Sequence, residues 1–311
     1  MSTIRAPFPW FGGKGNPKIK NAILAALPPH TRYIEPFGGG ASILMAKEPV
    51  EVETYNDVNR GVVSFFRVIA SREYFGPFMA RVREMPYSRE LYEECLRTWP
   101  ARGHPQKYPK PGAAGGGSSN AADGNFWGNE PVEQAARWYY AAQQSFGGLF
   151  GNAWGTGVTT SPTGRWKSSF DNLPKVHERM QQVQIECCDW RDCLARFSGP
   201  GYLAYCDPPY VMGARKAGGY EHELRDSDHA DLIAALLKYD GAVVLSGYDS
   251  PIYAPLAANG WDKIEVEVCC SAAGRTRRSG LQGPGNVKAR ERRTEVIWRN
   301  PEALRRIAAQ A

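Results

Sequence analysis

The stretch TRYIEPFGGGASILMAKE, residues 31–48, decides the fold. Residues 31–35 predict a short buried strand, three consecutive glycines follow, and the segment from Ala41 has the composition of a helix. Glycine lacks a Cβ atom, so the backbone of such a turn can lie close to a ligand. Glu35 precedes the turn and the spacing is not GxGxxG, which favours a cationic or hydroxyl-rich nucleoside over a pyrophosphate. A plain turn followed by a helix is the alternative.

The same alternation of strand and helix continues outward from this stretch. It runs up to residue 71 and resumes after residue 172, which is typical of a parallel sheet covered by helices. The last two strand-like segments favour an antiparallel hairpin. We therefore predict an α/β fold with a seven-stranded, mostly parallel sheet. The strands are expected at residues 31–35, 50–55, 183–187, 202–206, 242–246, 263–270 and 294–299, and the helices at residues 16–27, 41–48, 61–69, 190–197, 227–238 and 252–258.

Residues 72–171 interrupt this alternation. They contain longer helical segments and a stretch rich in Gly, Pro, Ser and Asn at about 101–130, which predicts a flexible loop. We interpret residues 72–171 as an inserted, mainly helical domain, and residues 1–71 and 172–311 as the domain that carries the sheet. Because the carboxyl ends of parallel strands meet at one edge, the motifs that follow the strands should converge on one crevice.

Composition limits the classes of protein to which the chain can belong. Its 311 residues are 42% hydrophobic, and the net charge of +6 suits a polyanionic partner without requiring one. The seven cysteines lack CxxC spacing and the five histidines lack ligand spacing, so we expect reduced cysteines and no metal. No apolar run has the length of a membrane span, and the N-terminus lacks a signal-peptide pattern. A soluble, cytoplasmic protein is expected.

A second stretch, YCDPPY at residues 205–210, carries the chemistry. Its two prolines fix φ and donate no N–H, which leaves the Asp207 carboxylate and the Pro208 carbonyl as neighbouring acceptors. An exocyclic amino group can donate one hydrogen to each, which frees its nitrogen lone pair for attack, while Tyr210 stacks on the ring of a flipped base. The alternative is a strand that ends in a Pro-Pro turn with a packed tyrosine.

Two aspartates follow neighbouring strands. Asp57 lies about 20 residues after Glu35, where a carboxylate accepts hydrogen bonds from ribose hydroxyls in dinucleotide-binding folds. Asp189 follows the third predicted strand, a place from which it could accept a hydrogen bond from an adenine amino group. Each aspartate could instead cap the helix that follows it.

Four motifs together resemble those of a known family. FPWFGGKG at 8–15, YIEPFGGGAS at 33–42, YNDVN at 55–59 and AYCDPPY at 204–210 are similar, in sequence and in order, to motifs of the Dam-like DNA adenine-N6 methyltransferases. The resemblance implies a class I, Rossmann-like methyltransferase fold that binds S-adenosylmethionine, with the insertion as the target-recognition domain. It also implies that an adenine of double-stranded DNA is flipped and that its N6 attacks the methyl group in line.

The resemblance assigns roles to individual residues. The implied catalytic residues are Asp207, Pro208, Pro209 and Tyr210. The implied cofactor-binding residues are Trp10, Lys14, Glu35, Phe37, Gly38, Gly40, Asp57 and Asp189.

Basic residues indicate where DNA phosphates would bind. Residues 275–293 hold seven cations and one acid, Glu291, between the last two predicted strands, although such a run can also be a solvated surface. In the insertion, cations flank an aromatic ring that could anchor the backbone or fill the gap left by a flipped base. The residues expected to contact DNA are Arg137, Arg165, Trp166, Lys167, Arg275, Arg277, Arg278, Lys288, Arg290, Arg292 and Arg293.

The aromatic stripe of the insertion has a different explanation. Trp138, Tyr139 and Tyr140, together with Phe146, are expected in the core beside a helix and not on a base-stacking surface.

Three alternatives to this function are considered on the sequence. The same pair of acceptors would serve cytosine N4 in DNA or guanine N2 in RNA. A catalytically silent DNA-binding protein of this fold has no need of both the glycine turn and the Asp207–Tyr210 stretch, which counts against it. A nicotinamide dehydrogenase is disfavoured because GxGxxG is absent. The sequence leaves the target site, the oligomeric state and a phage or restriction-modification context undecided.

Overall fold

A computed structural model of the chain describes residues 4–98, 130–156, 161–211, 223–269 and 292–310. Seven strands form one sheet in this described part: β1 (Arg32–Glu35), β2 (Val52–Asn56), β3 (Gln184–Glu186), β4 (Tyr202–Cys206), β5 (Ala242–Gly247), β6 (Asp262–Cys269) and β7 (Arg292–Arg299). Their order across the sheet is β3-β2-β1-β4-β5-β7-β6. The first five strands of that order run parallel, and β7 is antiparallel to both β5 and β6. The predicted seven-stranded α/β sheet with antiparallel final strands is confirmed.

The strand order reverses beside β1, which pairs with β2 on one side and with β4 on the other. In open α/β sheets this arrangement leaves a crevice at the carboxyl ends of the two central strands. Glu35 is the last residue of β1 and Asp207 directly follows β4. The topology therefore brings the glycine turn and the Asp-Pro-Pro-Tyr stretch to one place.

Helices cover both faces of the sheet, and local sequence signals set their ends. Asn16 caps the first helix and Asn59 caps the second, where its side chain accepts from the backbone N–H of Gly61 and Val62. The helices are α1 (Pro17–Ala26), α2 (Arg60–Ala70), α3 (Arg72–Glu84), α4 (Arg89–Thr98), α5 (Pro131–Gln144), α6 (Thr163–Ser168), α7 (Leu173–Met180), α8 (Trp190–Arg196), α9 (Asp226–Leu237), α10 (Ala254–Ala258) and α11 (Pro301–Ala308). Helices α6, α7 and α11 were not predicted from the sequence; α11 follows the cap residue Asn300.

The helix predicted at residues 41–48 is wrong, because these residues form a series of turns. Ala41 has a φ of +54°, a left-handed conformation in which a helix cannot begin. The backbone N–H of Leu44 donates to the Glu35 carboxylate at 2.7 Å, and the N–H of Ala46 donates to the Ile43 carbonyl at 3.0 Å and not to the Ser42 carbonyl that a helix requires. The buried carboxylate thus holds the chain in a compact turn where composition favoured a helix.

The insertion shares its core with the sheet domain. Helix α5 packs against α2, and the Tyr139 ring stacks on Phe65 with centroids 5.2 Å apart. Trp138, Tyr139 and Tyr140 are buried as predicted, whereas Phe146 is 52% exposed. Phe146 lies beyond the end of α5, in the loop closed by the Ser145–Trp154 bridge, so the helical stripe does not continue to it.

Two further expectations concern the insertion and membranes. The flexible loop expected at about 101–130 falls almost wholly outside the described residues. None of the helices in the described ranges is both long enough and apolar enough to cross a membrane.

Candidate active site

The glycine turn after β1 is closed by contacts that leave no room for side chains. A Cβ atom on Gly38 would lie 2.2 Å from the Tyr55 ring, and one on Gly39 would lie 2.5 Å from Trp10 Nε1. Gly39 also has a φ of +46°, which glycine adopts without strain. The Gly38 N–H donates to the Asn56 carbonyl at 2.8 Å. The turn is thereby pressed between the end of β2 and the N-terminal segment.

Glu35 is a buried carboxyl at the floor of this turn. Its Oε1 accepts from the Tyr33 hydroxyl and from the Leu44 N–H, both at 2.7 Å. Burial raises the pKa of Glu35 to about 8, although both hydrogen bonds act to lower it. The group therefore carries a proton at neutral pH, and an approaching cation would favour its ionised form.

Asp57 braces the turn from the end of β2. One carboxylate oxygen accepts from the Gly39 N–H at 2.8 Å, and the other accepts from the Asn59 N–H at 2.7 Å. The capping alternative for Asp57 is not what the structure shows, because Asn59 supplies the side-chain cap of α2.

Asp189 lies farther along the same edge, after β3. It caps α8, where its Oδ1 accepts from the Arg191 N–H at 2.8 Å. The ring of Trp190 lies 6.2 Å from that of Phe37, which connects this strand end to the glycine turn. Asp189 is therefore near the turn, in the position that its capping alternative described.

One pocket opens between the ends of β1 and β4. Its walls contain the acidic groups of Glu35 and Asp207, four aromatic side chains and the glycine backbone. Of the residues expected to bind the cofactor or to act in catalysis, the pocket is lined by Trp10, Lys14, Glu35, Phe37, Gly38, Gly40 and Asp207.

The Asp207 carboxylate is held on one of its oxygens. Lys14 Nζ donates to Oδ1 at 2.7 Å, and the Ser246 hydroxyl donates to the same oxygen at 2.8 Å. Tyr205 lies 3.0 Å from the Ser246 oxygen and donates to it, since the only hydroxyl hydrogen of Ser246 is used on Asp207. Asp207 keeps 17% of its side chain exposed, whereas Lys14 is buried at 3%. Within the described part of the chain, both of these contacts are made by Oδ1 and neither by Oδ2.

Tyr210 is tied to the same cluster through its hydroxyl. Lys14 Nζ donates to the Tyr210 oxygen at 2.7 Å, and the Tyr210 hydroxyl donates to Glu295 Oε2 at 3.2 Å. The cluster thus joins the N-terminal segment, the residues after β4, and strands β5 and β7. Pro208 and Pro209 lie between Asp207 and Tyr210, and their fixed φ angles restrict how these two residues are placed relative to each other.

Sequence reasoning missed Ser246 and Glu295. Ser246 is the last residue of a strand that was predicted to be buried, and no motif marked it as part of the site. Gly247, the end of β5, pairs with Val296, so residues 292–295 of the antiparallel β7 extend past the carboxyl end of β5. The predicted hairpin was the only available signal, because an antiparallel last strand begins at the edge where the parallel strands end.

The structure separates the residues of the insertion that were expected to contact DNA. Arg137 donates to Glu133 at 2.6 Å and to Glu94 at 2.9 Å. Trp166 is buried, and its Nε1 donates to the Met85 carbonyl at 3.0 Å. Arg165 and Lys167 are exposed on either side of Trp166.

The basic run before β7 lies mostly outside the described residues. Arg292 begins β7, and the Arg293 guanidinium lies 5.9 Å from the centroid of the Tyr248 ring. The register pairs Cys269 with Arg292, so the two ends that flank residues 270–291 are adjacent at the carboxyl edge. The expected DNA-binding residues that the structure does not describe are Arg275, Arg277, Arg278, Lys288 and Arg290.

The described side chains form neither a candidate metal site nor a disulfide bond. Among the described residues, no three His, Cys, Asp or Glu side chains form a candidate metal site. The cysteines whose side chains the structure describes are all free thiols.

Comparison with known proteins adds family evidence to this geometry. Residues 10–254 match the family of D12 class N6 adenine-specific DNA methyltransferases. No curated protein matches the chain. Among solved structures, a protein described as a putative RNA methyltransferase from Pyrococcus horikoshii is similar to 43% of this chain, with 14% identity and a TM-score of 0.23. The chain spans 57% of that protein, and a likeness this weak carries no argument. Because the family match covers most of the chain, the protein belongs to the D12 class of N6 adenine-specific DNA methyltransferases.

Proposed function

We propose that this protein transfers a methyl group from S-adenosylmethionine to N6 of an adenine in double-stranded DNA. The observation that carries the proposal is the Asp207 carboxylate, held on Oδ1 by Lys14 and Ser246 at the mouth of the glycine-turn pocket. An acceptor fixed in this way can receive a hydrogen from a flat amino-bearing base. The family match supports adenine as that base.

The pocket fits the chemistry of the cofactor. S-adenosylmethionine combines a sulfonium, an ammonium, ribose hydroxyls and a flat base. Glu35 supplies a carboxyl group for the cationic part, and the rings of Trp10 and Phe37 supply flat apolar surface. The glycine turn, braced by Asp57, allows the backbone to lie against the ligand. When bound, the cofactor supplies an electrophilic methyl group.

The remaining residues of the proposed cofactor site lie around this pocket. Lys14 secures Asp207, and Asp189 lies at the next strand end, beside Trp190. We include Asp57 and Asp189 with Trp10, Lys14, Glu35, Phe37, Gly38 and Gly40 in the proposed site.

The reaction follows from the two acceptors. The target amino group donates one hydrogen to Asp207 Oδ2 and the other to the Pro208 carbonyl, which localises the lone pair on nitrogen. The two acceptors would orient that lone pair toward the methyl group that bound S-adenosylmethionine would supply. The methylated nitrogen would then lose one proton to the Asp207 carboxylate, which passes it to solvent, and the product is N6-methyladenine. Positioning and these fixed acceptors supply most of the reduction in the barrier.

The target base must leave the stack of the DNA duplex and reach this edge of the sheet. We assign target recognition to residues 72–171 and propose that residues 1–71 and 172–311 form the catalytic domain. The exposed side chains of Arg165 and Lys167 suit phosphate contacts, and the exposed Phe146 ring suits a wedge between base pairs. The flanking ends of β6 and β7 connect the basic run 275–293 to the same edge.

The direct test is to incubate the protein with S-adenosylmethionine and unmethylated plasmid DNA, digest the DNA to nucleosides and identify the product by mass spectrometry. We expect N6-methyladenine. N4-methylcytosine alone would reassign the base. DNA that stays unmethylated, although the protein binds it, would support a silent DNA-binding protein. An Asp249→Asn variant is the matched control for the Asp207→Asn variant. Asp249 is an exposed aspartate that pairs with Lys263, so its variant should keep the activity of the parent protein.

A further inference from the structure

Glu295 is a half-buried carboxyl group inside the active-site cluster, and nothing in the proposed reaction yet uses it. It lies on β7, opposite Val266 of β6, and its Oε2 accepts from the Tyr210 hydroxyl at 3.2 Å. Burial raises the pKa of Glu295, the charge of Asp207 raises it further, and the Lys14 ammonium opposes the shift. The carboxyl group therefore shares one electrostatic environment with the residues that hold the target amino group.

The Tyr210 hydroxyl is fixed from both sides. Lys14 Nζ has no acceptor capacity, so it donates to the Tyr210 oxygen, and the single hydroxyl hydrogen of Tyr210 is directed to Glu295. The edge of the ring also meets Tyr248, with centroids 4.6 Å apart and an interplanar angle of 73°. An aromatic ring held at its hydroxyl and at one edge keeps a constant plane.

The plane of this ring matters because the target base would stack on it. Lys14 alone cannot set the plane, since the same ammonium also donates to Asp207 and to the Gly12 carbonyl. Glu295 comes from a strand that the sheet holds in register, which fixes its backbone beside the site, and its carboxylate accepts the Tyr210 hydroxyl hydrogen.

We propose that Glu295 is a positioning residue, which fixes the Tyr210 ring through its hydroxyl and so aligns the target base with Asp207. This inference rests on the proposed function. It adds a residue of the last, antiparallel strand to a site otherwise built from the N-terminal segment and the parallel strands.

The test is a double-substitution cycle with Tyr210→Phe. Single-turnover methylation of unmethylated plasmid DNA is measured with S-adenosylmethionine for the parent protein, Glu295→Leu, Glu295→Gln, Tyr210→Phe and Tyr210→Phe/Glu295→Leu. We expect Glu295→Leu to lower the rate about tenfold or more, because a hydrogen bond to a charged group is lost. Glu295→Gln should recover most of the rate, since its amide oxygen still accepts the hydroxyl hydrogen.

The double variant decides how Glu295 acts. With Tyr210→Phe the hydroxyl is absent, so adding Glu295→Leu should cause less than about a twofold further loss. Losses that multiply would overturn the inference, as would a Glu295→Leu protein with the parent rate. Cofactor affinity by calorimetry should stay unchanged in all variants.

Controls separate this inference from folding and from the proposed function. Glu267→Leu replaces an exposed glutamate of β6 and should keep the parent rate and thermal transition. If Glu295→Leu fails to fold, the Gln variant alone decides: a rate as low as that of Tyr210→Phe would overturn the inference. An inactive parent protein would overturn the proposed function and this inference with it, whereas an active parent with multiplicative losses overturns only the role of Glu295.

Discussion

Two lysines of this protein are equally buried and equally paired, yet their surroundings differ. Lys14 Nζ lies 2.7 Å from Asp207, and Lys47 Nζ lies 2.5 Å from Glu53, with each lysine 3% exposed. Asp207 keeps 17% exposure and lines a pocket, whereas Glu53 is 1% exposed. The Lys14–Asp207 pair lies at a pocket, and the Lys47–Glu53 pair is enclosed by the protein.

The second pair is completed by an arginine. Arg179 of α7 lies 2.5 Å from the other Glu53 oxygen and donates to the Leu44 carbonyl at 3.1 Å. Because the Leu44 N–H donates to Glu35, one residue joins this buried cluster to the pocket. Both oxygens of Glu53 lie beside a buried cation, whereas the described contacts of Asp207 involve one oxygen only.

The largest effect on activity is expected at Asp207, the carboxylate partner of Lys14. Asp207→Asn keeps the shape of the side chain but removes the charge and can misplace the acceptor. We expect kcat to fall about 100- to 1,000-fold, as when a fixed transition-state contact is lost. Cofactor affinity by calorimetry should change little, and rates are compared for the folded protein because buried Lys14 loses its charged partner. A variant that retains most of its rate would contradict the acceptor role.

The next effect is expected at Glu53, and it should appear in stability. Glu53→Gln leaves Lys47 and Arg179 buried without their carboxylate, which typically costs about 3–5 kcal/mol. Urea unfolding measures this loss of unfolding free energy. The methylation rate of the folded fraction should stay near that of the parent. A rate loss without a stability loss would break the distinction between the two pairs.

A smaller effect concerns pH, through the carboxyl group that lies between the two clusters. Below its pKa of about 8, Glu35 is protonated in the free protein, so binding a cationic cofactor to its ionised form must release a proton. Affinity should therefore rise with pH toward about 8, by up to tenfold per pH unit.

Calorimetry in buffers of different ionisation enthalpy measures both the affinity and the released proton. Glu35→Gln should bind the cofactor with an affinity that is flat over the same pH range. A parent affinity that does not depend on pH between about 6 and 8 would exclude Glu35 from the cationic part of the site.

Much of this fold follows from local patterns in the sequence. Alternating strands and helices predicted the sheet because parallel strands are short apolar runs that end in turn residues, as Ala242–Gly247 does. The glycine turn and the Asp-Pro-Pro-Tyr stretch were predicted at one edge because parallel strands end together.

The errors come from contacts that a local sequence pattern does not show. Residues 41–48 have helical composition, but the Glu35 carboxyl takes the Leu44 N–H. Glu295 reaches the site only because β7 runs antiparallel and extends past β5. The basic character of Arg137 is visible in the sequence, whereas its pairing with Glu94, across two helices, is not. Composition indicates what a segment can form, and tertiary partners decide between the options.

The most direct measurement is of the methylation rate and the stability of two variants, one at each lysine. Lys14→Met and Lys47→Met are made in parallel, and each protein is assayed for single-turnover methylation and for unfolding free energy in urea. We predict that Lys14→Met lowers the methylation rate at least about tenfold with a small change in stability, because Asp207 loses a charged donor. Lys47→Met should lower stability and leave the rate of the folded protein nearly unchanged. Equal rate losses in the two variants, or a Lys14→Met protein with the parent rate, would contradict the account.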